Sequence, residues 1–158
     1  MNKKASPKTC SRYVAIQALY NSNYQNDYER IKSYFLNASE FKLEFDFKIS
    51  SQRYRLNKNF LEILLVTFDE EKNKVDSLIE SNLEKNWNLN RLPIVLLSIL
   101  RVAVTEMIIS KNTSIGIIAS EYIMFTESFY TENEYVFINA ILEKIYFNLK
   151  KEKITLNE

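Results

Sequence analysis

Acid–base chemistry in this chain would have to rest on two carboxylates, Glu106 and Glu121, each set in a strongly apolar stretch. Paired carboxylates can pass protons when they meet in a solvent-accessible pocket, but no spacing in the sequence singles that arrangement out. Glu106 shares its segment with Arg101, and the simpler expectation is that these charges, once buried, pair and tie helices together. Cys10 sits in a basic stretch where a thiol pKa can fall. With nothing to activate it, it reads as a packed thiol. The 158 residues contain no histidine and a single glycine, Gly116. Histidine is the usual proton carrier near neutral pH and the commonest metal ligand, and glycine builds phosphate-cradling loops and nucleophile turns. A zinc site and the Glu-x-x-His pattern of di-iron bundles are both missing their ligands. The residue types therefore point away from an enzyme, with no metal and no cofactor expected, and toward a module that acts through its surface.

The elements that must position that surface are helical. Hydrophobic residues make up 46% of the chain and charged residues 26%, ordinary values for a globular protein. Ser6-Pro7 is a helix start, serine capping free backbone donors and proline fitting the first turn. The helix it opens is expected over 7–22, with Tyr13, Ile16, Gln17 and Tyr20 sharing one side. A second is expected over 27–36, with Ile31, Tyr34 and Phe35 inward. Phe41, Leu43, Phe45, Phe47 and Ile49 alternate with charged residues at a period of two. That segment reads as a loop or short helix packing phenylalanines on the core, or as a short β-ribbon or partner-recruiting edge.

From Asn57 the helical period returns: Phe60, Leu61, Leu64, Leu65 and Phe68, then Val75, Leu78, Ile79 and Leu83, make one long bent helix or two joined near 69–73. A further helix starts around 90–93 and runs to about 110, apolar round most of its circumference and so central. Its span, Leu92 to Ile109, is interrupted by Pro93, Arg101 and Glu106, which argues against a membrane crossing. Thr113-Ser114 opens a helix through Phe129, and Thr131-x-x-Glu134 is a capping box before the last one. The expectation is an all-α fold of six or seven helices in one domain over 1–158, with 1–6 and 150–158 as flexible tails.

Net charge is +1, but its distribution is uneven. Residues 1–20 hold Lys3, Lys4, Lys8 and Arg12 with no acid, and the other end holds Lys144, Lys150, Lys151 and Lys153 against Glu143 and Glu152. Such ends are either solvated termini or a local basic patch for nucleic acid. A single cysteine and a basic N-terminus without an apolar core fit the cytoplasm.

Three blocks, in order along nearly the whole chain, resemble the NusB family of bacterial transcription antitermination factors. The first, Ser11-Arg12-Tyr13-Val14-Ala15-Ile16-Gln17-Ala18-Leu19-Tyr20, is similar to the family's first helix ending in QALY. The second, Trp87-Asn88-Leu89-Asn90-Arg91-Leu92 continuing to Ser98-Ile99-Leu100-Arg101-Val102-Ala103-Val104-Thr105-Glu106, resembles its W-x-L-x-R and ILR-x-A-x-x-E signature. The third runs from Ala119-Ser120-Glu121 through Ser128-Phe129 to Phe137-Ile138-Asn139-Ala140-Ile141-Leu142. Tyr54 and Asp76 fall where the family often carries Tyr and Asp.

The resemblance implies a helical domain of two packed halves. It also implies a factor that binds single-stranded boxA-type RNA together with NusE, a ribosomal protein of the small subunit. That complex would join the RNA polymerase elongation complex, notably on ribosomal RNA operons. The RNA contacts it implies are Lys4, Lys8, Arg12, Gln17 and Tyr20, cations for phosphates and an aromatic for unpaired bases. The partner-facing set is Leu96, Leu97 and Phe137. Only Lys8 and Arg12 stand where the family's first helix opens with several arginines, and Leu96-Leu97 replaces a usual acid–base pair. The alternative is therefore a divergent interaction module of the same fold, self-associating as a homodimer, with weak or no RNA binding. No membrane partner is expected.

Overall fold

The computed structural model describes residues 5–37, 55–110 and 112–156. Among them are six α-helices and no strand: α1 (Pro7–Ser22), α2 (Tyr28–Asn37), α3 (Lys58–Ser81), α4 (Ile94–Ile109), α5 (Ile115–Phe129) and α6 (Glu134–Thr155), with a 3-10 turn over Leu89–Arg91. The alternating segment 41–49 lies outside the described residues.

Local chemistry sets most of the starts. Ser6 Oγ accepts the Thr9 N–H at 3.0 Å and Pro7 takes the first helical position, so one backbone donor that α1 would leave open is capped and another position carries no donor at all. Asn57 Oδ1 does the same for α3 through Phe60 N–H at 3.0 Å, and Ser114 caps α5. The Thr131–Glu134 capping box does not form. α6 begins at Glu134 itself, after Asn133, with no side-chain cap. Its fully buried positions begin at Ile138.

α3 is one uninterrupted helix of 24 residues, about 36 Å long at the standard rise. Its buried stripe (Phe60, Leu61, Leu64, Leu65, Phe68, Val75, Ile79) stays on one face past the acidic 69–71 stretch, which points to water. α4 is the centre of the molecule, with 12 of its 16 residues buried. It packs on α1 and α3, which also hold α2, and on α5 and α6, which pack on each other. The two sets are the two helical halves, and the buried apolar side chains form one contiguous cluster. Three of the hydroxyls this core encloses are satisfied within their own helices: Ser98, Thr105 and Thr126 each donate to the carbonyl four residues back, at 2.8, 2.7 and 2.8 Å.

Two polar junctions fix how the helices meet. Ser11 Oγ lies 2.9 Å from the Pro7 and Asn57 carbonyls and accepts the Asn57 N–H at 2.9 Å, pinning the starts of α1 and α3 together. Arg101 of α4 forks onto Asp76 of α3 at 2.8 and 2.9 Å, reaches Asn23 Oδ1 at 3.3 Å and lies over the Phe68 ring. The buried charges do pair and tie helices together as expected, but Arg101 and Glu106 are not each other's partners. Five residues apart on one helix, the two side chains point about 140° apart, and each finds its partner on another helix.

No described helix is long and apolar enough to cross a membrane. The lone glycine has no conformational task, since Gly116 has no positive φ and a Cβ there would meet only Ser114 Oγ at 3.9 Å. Residues 150–155, expected as part of a tail, continue α6 as exposed helix beyond Leu149, its last buried residue.

Candidate nucleic-acid interface

At the start of α1, Arg12 is 5% exposed, and its guanidinium grips Glu106 of α4 through Nε to Oε2 at 2.8 Å and Nη2 to Oε1 at 2.6 Å. Tyr122 of α5 donates to the same Glu106 Oε2 at 2.6 Å. Glu121 completes the cluster, with Oε2 at 3.3 Å from Arg12 Nη1 and Oε1 accepting from the Thr9 hydroxyl at 3.1 Å. Since Thr9 donates to Glu121, Ser6 donates to Thr9 across their 2.9 Å contact. Phe60 of α3 supplies a ring face to Arg12 at 5.4 Å. One arginine therefore joins four helices. Burial works against its charge, but the hydrogen bonds and the Glu106 carboxylate outweigh this and hold its pKa above the usual arginine value.

Glu106 and Glu121 do converge, as a carboxylate enzyme would require, but on a guanidinium and not in an open pocket. Glu106 is 1% exposed. Cys10 is fully buried, and burial pushes its thiol up, the opposite of an activated nucleophile.

Tyr122 carries a pH dependence. Burial, then the Glu106 charge and hydrogen bond, push its phenol well above the ordinary range. Folding therefore favours the neutral phenol. That stabilisation is complete below about pH 10, where an unfolded tyrosine begins to ionise, and is lost as pH climbs toward the folded value. Tyr122→Phe is expected to cost about 1 kcal/mol at neutral pH and to flatten the fall in stability above about pH 10. Urea midpoints of both proteins at neutral and alkaline pH check this. Parallel pH curves would mean that Tyr122 does not titrate with unfolding.

The expected RNA contacts do not share one surface. Lys4 lies outside the described residues. Lys8 is exposed, with its ammonium 5.1 Å from the centre of the Phe60 ring. Arg12 is enclosed by its carboxylates and is not a free cation. Gln17 and Tyr20 are half-buried on the opposite side of α1 from Lys8, nine residues and half a rotation away for Gln17. There, with Tyr13 and Ile16, they line a groove of about 880 Å³ between α1 and α2. The shared side read from the sequence is this groove wall.

Its other wall includes Arg30 and Tyr34 of α2, with Val95 and Phe129 from the start of α4 and the end of α5. Tyr34, expected inward, is 67% exposed. Ile31 and Phe35 take the core-facing positions one turn apart, leaving Tyr34 at the groove edge with its ring edge-on to Phe35 at 5.2 Å. Phe129 lies parallel to Tyr13 at 6.4 Å. Arg30 was not singled out in the sequence, Tyr34 was expected inward and Phe129 only as a helix end, because a groove between helices has no periodic signal. The aromatic at the edge of α2's stripe was the available clue.

The expected partner face is likewise redrawn. Leu96 and Leu97 are 4% and 7% exposed and belong to the core of α4, which is packed on both sides. Phe137 is half-buried against the same core.

The family model described as NusB family matches residues 9–147. The transcription antitermination protein NusB of Rickettsia typhi is 27% identical over 149 residues, covering 90% of this chain and 92% of the relative. That of Brucella anthropi is 28% identical over 152 residues, covering 95% and 88%. Among solved structures, T. maritima NusB superposes with a TM-score of 0.72 at 27% identity over 91% of this chain and 92% of that one. A structure of the antitermination factors NusB and NusE in complex with dsRNA gives 0.68 at 20% identity, covering 89% and 96%, a likeness of fold.

Proposed function

The chain belongs to the NusB family, and on that premise we propose that it is a transcription antitermination factor that binds boxA-type single-stranded RNA together with a NusE-type ribosomal protein. The observation that carries the reading is the family match across 9–147, with relatives named for antitermination aligned over about nine tenths of this chain. The complex acts on the RNA polymerase elongation complex, notably on ribosomal RNA operons, which places it in the cytoplasm. No catalytic step is involved.

The groove supports this reading chemically. Tyr20 and Tyr34 put aromatic rings in its wall where unpaired bases can stack, and the Gln17 and Asn21 amides can meet base edges. Arg30 in the groove and, on the other side of α1, Lys8 are exposed cations that can meet phosphates.

RNA of boxA type titrated at about 50 and 200 mM salt, with and without the NusE-type protein, tests the proposal. Binding should weaken as salt rises. Lys8→Glu should lower affinity and reduce the salt slope by about one, with its helical circular dichroism unchanged. Absence of binding under all four conditions would overturn it. A second reading, an interaction module that has lost most RNA affinity, is favoured by the enclosure of Arg12, which leaves Lys8 as the one exposed cation in α1. Partner binding that is indifferent to salt would select it.

A further inference from the structure

α2 is the lightly anchored wall of the groove. Only Ile31 and Phe35 of its 10 residues are buried, whereas α1, the opposite wall, buries most of its length. Asp27 sets the start of α2: its Oδ1 accepts the Arg30 N–H at 3.0 Å and its carbonyl the Ile31 N–H at 3.2 Å. These bonds make the helix without fixing where it lies, and the Lys32–Glu29 ion pair at 2.7 Å is also internal to it. Among the described residues, one side-chain hydrogen bond leads from α2 to another helix. The Tyr28 phenol donates to the Leu65 carbonyl of α3 at 2.8 Å, and its ring packs on Phe68 of α3 with centroids 6.1 Å apart. Burial, then the charges of Asp69 and Glu29, push this phenol above its ordinary range, so it is a neutral donor at neutral pH.

Tyr28 is not among the residues that line the groove. At roughly 100° per residue, Arg30 and Tyr34 point about 160° and 120° away from it and within about 40° of each other. Both stand in the groove wall. One side of a short helix is thus fastened to α3 while the other faces the groove, and any roll or lift of α2 carries Arg30 and Tyr34 with it. The fastening is not owed to α3. Leu65 lies well inside that helix, where its carbonyl already meets the N–H four residues on, so what the Tyr28 bond adds is the placement of α2. We propose that Tyr28 is a positioning residue of the groove: without touching RNA, it holds α2 on α3 so that Arg30 and Tyr34 stand where phosphates and bases arrive. The role of those two side chains rests on the reading of the groove as the RNA site.

Tyr28→Phe keeps the ring on Phe68 and removes only the hydroxyl. Amide hydrogen exchange of the full chain, without RNA, reads the consequence in α2. The amides of residues 31–36 should exchange about two- to tenfold faster, the effect of one lost hydrogen bond on a local opening. Tyr122→Phe deletes a phenol hydrogen bond at the Arg12 cluster and should leave those amides at the wild-type rate. Unchanged α2 exchange in Tyr28→Phe would overturn the proposal. So would equal acceleration in both variants, because α2 would then open only with the whole fold. Titration of single-stranded boxA-type RNA gives the second readout. Tyr28→Phe should weaken binding at least about twofold, and by less in a Tyr34→Ala background, since part of what it positions is gone. Losses that add in full, or an RNA affinity indifferent to Tyr28→Phe, would also overturn it. A wild-type chain that binds no RNA would overturn the reading of the groove, and the exchange comparison would still decide whether Tyr28 sets α2.

Discussion

Arg12→Ala is expected to remove about 3–5 kcal/mol of stability, the range for breaking a buried ion pair by deleting one partner. The loss is large because of what stays behind. Glu106, 1% exposed, would keep only the Tyr122 hydroxyl, and Glu121 would lose the guanidinium that draws α5 toward α1. Against a total stability of about 5–15 kcal/mol, the variant sits near the folding threshold. Arg12→Lys recovers little, because an ammonium offers one point of charge where the guanidinium presents a planar fork to both Glu106 oxygens. Replacing Arg12 by Met together with Glu106→Leu and Tyr122→Phe should recover most of the loss, since burying two charges is itself costly and apolar substitutes of similar size avoid it. Urea unfolding followed by helical circular dichroism reads the series. A cost below about 1 kcal/mol for Arg12→Ala, the range of surface pairs, would show that the cluster is solvated and that Arg12 is free to meet phosphate.

The fold was largely legible because most helix starts carry a cap and most buried positions keep the 3.6 period. Ser6-Pro7, Asn57 and Ser114 act where their residue types predict, and α4, apolar nearly all round, is central for that reason. The pairing of charges was not legible. Arg101 and Glu106 are close in sequence, yet partners in a bundle are chosen by which helices face each other. Arg12 meets a residue 94 positions away. The same limit governs the candidate site. Lys8, Arg12, Gln17 and Tyr20 form one stretch of chain, but a helix turns them to an exposed flank, a buried junction and a groove wall. The basic character of α1 is therefore weaker on the surface than in the sequence, because Arg12 is enclosed. Aromatic character is stronger, because Tyr34 and Phe129 join from other helices.

Leu97→Ala is expected to cost about 2–5 kcal/mol, the range for a large side chain deleted from a core, and Leu96→Ala a similar amount. Charged replacements separate a core role from a partner-facing one more sharply. Leu96→Glu with Leu97→Lys would introduce the acid–base pair that the family resemblance sets at these positions. On an exposed partner face the pair would change stability by a few tenths of a kcal/mol and alter only partner affinity. At 4% and 7% exposure the two charges would instead enter the apolar interior of α4 with no partner provided. Burying them unpaired costs several kcal/mol, so the double variant should unfold or populate a loosened state in the absence of any partner. The decisive comparison is therefore made on the isolated chain, by urea midpoint and by near-ultraviolet circular dichroism of the packed aromatic residues. If the double variant keeps the wild-type midpoint, the first turns of α4 open in solution and Leu96-Leu97 can face a partner. If it unfolds, the apolar pair is what lets this chain close its own core at the point where the start of α4 meets the groove, and partner recognition falls to the residues around that groove.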